Sequence, residues 1–223
     1  LPAEATRIVQ VLPERKFKMV ANGFAMGSTS YVNMAAIRTD GSLWIGTGGS
    51  NGTQVGTARD WKYVSVNGGI SSGNPMMAAI KEDGSLWTSG WGAFGQLGDT
   101  YTTRISSSLL PVGTDKNWKK VCVGDRHVIA LKTNGTLWSW GTNTFGQLGD
   151  GTVTDRLAPG QVGTDTDWVD ISVGSYHSIG IKADGSLWVW GVDLPARAAI
   201  QISCSGGWVF RMILLPPGKL SSS

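Results

Sequence analysis

The sequence predicts an all-β chain of tandem repeats, and three observations predict it. A short phrase recurs four times, as Asp40-Gly41-Ser42-Leu43-Trp44, Asp83-Gly84-Ser85-Leu86-Trp87, Asn134-Gly135-Thr136-Leu137-Trp138 and Asp184-Gly185-Ser186-Leu187-Trp188. The copies start at 40, 83, 134 and 184, in steps of 43, 51 and 50 residues. At such a period each unit buries its apolar face only by packing on its neighbours. Within each period, short alternating apolar runs end at glycines and Asx-Gly turns, the pattern of antiparallel strands. The 223 residues include 32 Gly and 11 Trp with only 16% charged, a turn-rich and aromatic composition that excludes disorder. Three or four strands per fifty-residue unit is the blade of a β-propeller.

The third copy shows each element most plainly. Trp118–Gly124 alternates like a strand ending at a glycine, and His127–Lys132 is a second apolar strand. Thr133-Asn134-Gly135 between them and the return strand Leu137–Gly141 predicts a type I′ hairpin turn. The connection Thr142–Thr166 carries Phe145-Gly146-Gln147-Leu148-Gly149-Asp150-Gly151-Thr152 and a short strand near Gln161-Val162. The fourth copy repeats this at Trp168–Gly174, His177–Lys182 and Leu187–Gly191. The second matches at Trp61–Asn67, Ala78–Lys81, Asp83–Trp87 and Trp91–Asp99. The first keeps Met19–Gly23, Ala35–Arg38 and Asp40–Trp44, with its connection shortened to Gly46–Gly56. A faint fifth places Ile202–Gly206 as a first strand and Trp208–Leu214 as a second. The chain divides into an N-terminal arm or closing strand (1–16) and four repeats (about 17–60, 61–117, 118–167 and 168–191). A degenerate fifth repeat or C-terminal cap (192–223) follows.

With Gly-x-x-His, Asp-Gly-x-Leu-Trp-x-Trp-Gly and Phe-Gly-Gln-Leu-Gly-Asp-Gly-Thr in register, roughly residues 17–191 resemble the regulator-of-chromosome-condensation repeat family. The Trp-rich repeats are more similar to the bacterial and phage form than to the eukaryotic nuclear exchange factor. The resemblance implies a seven-bladed ring and members that mostly bind proteins, with GTPase nucleotide exchange and β-lactamase inhibition among their roles. Four good copies make either a partial propeller or one completed by assembly, including a homo-oligomer. By resemblance, the loops after each first strand help form a partner-binding face. Here they hold Asp125-Arg126, Ser175-Tyr176 and Ile70–Pro75, which contains Asn74. Trp208, a tryptophan confined to one copy, joins them, with Tyr63, Tyr101 and Tyr176 as singleton surface candidates.

Other classes of function find little support. The net charge of +3 is scattered, which gives no nucleic-acid footprint. No apolar run reaches the roughly 18–20 residues of a membrane span. Cys122 and Cys204 make no disulfide framework and are expected to be buried free thiols. His127 and His177 share one repeat position, expected to be structural and bonded to neighbouring backbone, and no metal-ligand spacing exists. Asp99 and Asp150 read as turn residues rather than calcium ligands. No nucleophile elbow is present, so no catalytic residue, metal or cofactor is expected. Trp44, Trp87, Trp138 and Trp188, with Trp61, Trp118 and Trp168, recur in register as wedges between blades. The expected function is a non-catalytic protein-binding or structural module of bacterial or phage type. An extracellular or virion-surface location is favoured, although residues 1–5 show no signal-like pattern. The alternatives are a secreted inhibitor of a bacterial enzyme, a GTPase exchange factor or a glycan-binding adhesin.

Overall fold

Strands account for all the regular structure in the computed structural model, which describes residues 16–23, 34–46, 52–67, 76–101, 105–191, 198–203 and 209–214. They form four sheets, each an antiparallel meander in chain order. Blade one holds β1 (Phe17–Asn22), β2 (Met34–Arg38), β3 (Leu43–Gly46) and β4 (Thr53–Gln54). Blade two holds β5 (Trp61–Asn67), β6 (Met76–Lys81), β7 (Leu86–Trp91) and β8 (Ile105–Pro111). Blade three holds β9 (Trp118–Val123), β10 (His127–Lys132), β11 (Leu137–Gly141) and β12 (Arg156–Gln161). Blade four holds β13 (Trp168–Val173), β14 (His177–Lys182), β15 (Leu187–Gly191), β16 (Ala198–Ser203) and β17 (Val209–Leu214).

The blades stack in sequence as a four-bladed β-propeller, because each sheet is apolar on both faces and one neighbour covers only one of them. β1 and β2 pack on β5, β5 and β6 on β9, and β9 and β10 on β13. Three cores result, one per junction. Ala35, Ile37 and Leu43 of blade one meet Trp61, Val64 and Ala79 of blade two. Met76, Ala78 and Ile80 meet Trp118, Val121 and Trp140. Ile129, Leu131 and Leu137 meet Trp168, Ile171, Trp188 and Trp190.

The recurring phrase is explained by a side-chain relay. The Trp138 indole N–H donates to Thr136 Oγ1 (3.0 Å), and that hydroxyl donates to Asn134 Oδ1 (2.8 Å). The same chain runs Trp44–Ser42–Asp40 and Trp87–Ser85–Asp83. Those Ser hydrogen bonds hold the Asp40, Asp83 and Asp184 carboxyls below the ordinary carboxylate range. The turn is not type I′. Positive φ falls on Gly135 alone (78°), and Gly135 N–H donates to Lys132 O, so a type I turn is followed by a left-handed glycine. Asn134 keeps negative φ because its side chain is committed to Thr136. Any Cβ on Gly135 would meet Thr166 O at 1.9 Å, so this turn also seats the linker into the next blade.

The C-terminal strands extend an existing sheet. β16 pairs antiparallel with β15, and β17 with β16, so Ile202 lies opposite Leu187 at the outer side of blade four. Ile202–Ser203 and Val209–Leu214 thus lie in outer strands where the sequence suggests the inner strands of a fifth repeat. β15 had an unpaired outer edge and needed a fourth strand.

Candidate partner-binding face

In blade three the first-to-second connection (124–126) and the third-to-fourth connection (142–155) emerge at one end of the meander and the Asn134-Gly135 turn at the other, and residues 174–176 of blade four share the first end. At the first end the inner strands converge on a concavity of about 210 Å3, lined by Asn22, Asn67, Asp125 and Ser175 with the ends of β5, β9 and β13. Asn67 Nδ2 donates to Asp125 Oδ1 (2.9 Å), while Asp125 Oδ2 is buried with no hydrogen-bond partner. Asp125 N–H points at Ser175 O (3.4 Å).

Arg126 and Tyr176 do not line the concavity, and each rests on the preceding blade. The Arg126 guanidinium lies 4.5 Å from the Phe94 ring, and Tyr176 packs edge-on against Phe145 (5.6 Å). Of the predicted residues, the structure therefore brings Asp125 and Ser175 together at the concavity and sets Arg126 and Tyr176 on a surrounding rim. Asn74 and Trp208 lie outside the described residues. Tyr63 is half-buried and packs into the junction with blade three, where burial pushes its phenol up. Tyr101 is well exposed, joining Phe145, Val153 and Leu157 as apolar groups at or beside the third-to-fourth connections.

Those connections are built around a buried glutamine. Gln147 Oε1 accepts from Phe145 N–H, and Gln147 O accepts from both Trp190 Nε1 (2.9 Å) and Ser178 Oγ (2.9 Å) of blade four. Gln96 O accepts likewise from Trp140 Nε1 (2.9 Å). The second tryptophan of each Trp-x-Trp thus plugs into the loop of the preceding blade. Gly149, at φ 70°, leaves room for it, since a Cβ there would touch Trp190 Nε1 at 2.6 Å. In the third blade Asn143 stitches the loop, donating to Asp150 and Thr152 and accepting from Leu148 N–H. Asp150 and Asp99 accept from the backbone two residues on, as turn residues do.

His127 is structural, but its partner is a side chain. His127 Nε2 lies 2.9 Å from Ser178 Oγ of the next blade, and burial followed by the nearby His177 pulls its pKa down to about 3. The ring is neutral at physiological pH. Cys122 is only partly buried. It is a free thiol whose Sγ–H points at Ile171 O, and burial pushes it up to about 11, which leaves it unreactive. Cys204 lies outside the described residues.

One repeated device escaped the sequence reading. Lys132 lies over Trp118 and Trp138 and pairs with Asp115 (2.6 Å); Lys182 lies over Trp168 and Trp188 and pairs with Asp165 (2.6 Å). Lys81 does the same with Trp61, Trp87 and Asp60. Its signal was a cation ending every second strand, at Arg38, Lys81, Lys132 and Lys182. No group of three His, Cys, Asp or Glu among the described residues could hold a metal ion, and no helix there is long and apolar enough to cross a membrane.

The family model described as the regulator of chromosome condensation (RCC1) repeat matches residues 83–131 and 134–181, and a second RCC1 repeat model matches 118–147. Residues 83–181 of this β-propeller carry RCC1 repeats. The plant ultraviolet-B receptor UVR8 of Arabidopsis thaliana is 35% identical over 74 residues, which is 33% of this chain and 17% of UVR8. Human WBSCR16 superimposes with a TM-score of 0.63 at 18% identity, over 82% of this chain and 50% of that one. Prp20p of Saccharomyces cerevisiae, described with its binding to Gsp1p and histones, superimposes at 0.59 and 19% identity, over 85% and 50%. The chain thus spans about half the length of these solved structures.

Proposed function

We propose that this RCC1 propeller is a non-catalytic protein-binding module whose partner seats on the face carrying the concavity and its rim. The observation that carries this reading is the make-up of that face. A recessed Asp125 with one unpaired oxygen lies inside a rim of Arg126 and Tyr176, with exposed Phe145, Tyr101 and Leu157 around it. Tyr, Phe and Arg are the side chains enriched at protein interfaces. The loops vary between blades while the frame beneath them stays constant, which suits a surface set copy by copy. The Trp-rich repeats support a bacterial or phage setting for it.

Site-specific photo-crosslinking tests the reading. A photoreactive residue at Phe145 or Tyr101 should trap a discrete protein adduct in cells, while one at Lys116 on the opposite end should not. Equal trapping at all three positions, or trapping at Lys116 alone, would overturn it.

A further inference from the structure

At the Asx-Gly end of blades two and three, most cations are already spent inside the chain. Lys116 pairs with Asp83 and Lys120 with Asp170, while Lys81 and Lys132 each pair with an aspartate and lie over tryptophan rings. Lys62 and Lys119 depart from that pattern. Both are exposed, and the Lys62 ammonium makes no ion pair or hydrogen bond with any described residue. Lys119 Nζ donates to the Val169 carbonyl (3.4 Å), and the nearby Asp170 is already paired with Lys120. One carboxylate thus serves two lysines there, and Lys62 beside them has none.

A repeated bulge puts these two lysines in place. The pairing of β5 with β6 steps from Trp61↔Lys81 to Tyr63↔Ile80, so Lys62 is the extra residue. That of β9 with β10 steps from Trp118↔Lys132 to Lys120↔Leu131, which makes Lys119 the extra residue. A bulge re-aims the side chain it adds. β5 and β9 are neighbouring inner strands, so two surplus positive charges share one height on adjacent blades. Such charges repel unless an anion lies between them. Tyr63, next to Lys62, supplies a third group. Its hydroxyl bonds to no described residue, and burial keeps the phenol protonated, so an O–H donor is available there.

We propose that Lys62, Lys119 and the Tyr63 hydroxyl form a binding site for a small phosphate-bearing molecule. The two ammonium groups flank the anion, and the phenol donates to one of its oxygens. Compact lysine point charges suit phosphate, and a dianion matches both where a single carboxylate would match one. The site lies at the opposite end from the concavity of the partner face and stands independently of it.

Titration calorimetry of the 223-residue chain with tripolyphosphate at fixed ionic strength is the test, with thermal unfolding beside it. The unfolding midpoint should rise with tripolyphosphate concentration. Replacing both lysines, Lys62→Ala with Lys119→Ala, should weaken binding by about tenfold or more. Without the anion that double variant should unfold no lower than the native chain, because it relieves the repulsion; a merely structural role for the lysines would lower it. Tyr63→Phe should weaken binding by less, and Lys116→Ala, which removes a lysine already paired at the same end, should leave it unchanged. No midpoint shift, undiminished affinity in the double variant, or binding to phosphatidic acid vesicles without binding of free tripolyphosphate would overturn the proposal.

Discussion

The junction between blades one and two differs from the two that follow it, and the difference shows what holds the propeller together. All three share the apolar zipper of strand residues. Only the later two add a loop and an indole that depend on each other. Gln96 O and Gln147 O sit beneath Trp140 and Trp190, and Gly98 and Gly149 leave the space the rings fill. At the first junction both halves are missing together, with a short connection on one side and Ser89 on the other. The strand zipper is thus the common requirement, and the loop–tryptophan plug is an accessory that comes or goes as a pair.

The largest test of that contrast is Trp140→Ala. It empties a fully buried ring site and should cost about 3–5 kcal/mol in urea unfolding, while Ser89→Ala stays below about 1. Trp140→Phe should retain the packing but leave Gln96 O unpaired, at about 1–3 kcal/mol.

A smaller effect separates the third junction through pH. His127 is held at about 3 when folded and titrates near 6.5 when unfolded, so between those values the unfolded chain binds the extra proton. Its contribution is full above pH 6.5 and is lost as pH falls, at up to about 1.4 kcal/mol per unit. His127→Met, which copies Met76 of blade two, should flatten the stability profile between about pH 6.5 and 4.5.

Thr100 gives the smallest change. It has φ 71° where the third blade has Gly151, and a β-branched residue is strained there. Thr100→Gly should raise stability by about 1 kcal/mol, and Gly151→Thr should lower it by about 1–3, both read from thermal unfolding.

Much of this was legible in the sequence because it repeats at short range. The inner strands of the four blades, the Asx-Gly turns and the in-register tryptophans follow from patterns within ten residues and lie where those patterns put them, whereas the type of the turn and the outer position of Ile202–Ser203 and Val209–Leu214 do not. The loop–tryptophan plug was not legible, because it joins Gln96 to Trp140 and Gln147 to Trp190 across a whole repeat. The lysine cages were hidden for a similar reason, since Lys132 and Asp115 are apart in sequence and lysine at a strand end looks solvated. At the partner face, the loop positions of Asp125 and Ser175 were readable. That Arg126 and Tyr176 rest on Phe94 and Phe145 depends on the angle between blades, which no single repeat encodes.

The coupling between loop and indole is tested most directly by a double-mutant cycle in urea. One variant replaces residues 92–101 with the short connection of blade one, another is Trp140→Ser, and the third combines them. Each single change should destabilise, and the combination should cost about 1–3 kcal/mol less than their sum, because an indole without its loop has little left to lose. Additive costs within about 0.5 kcal/mol would contradict the pairing of the two halves.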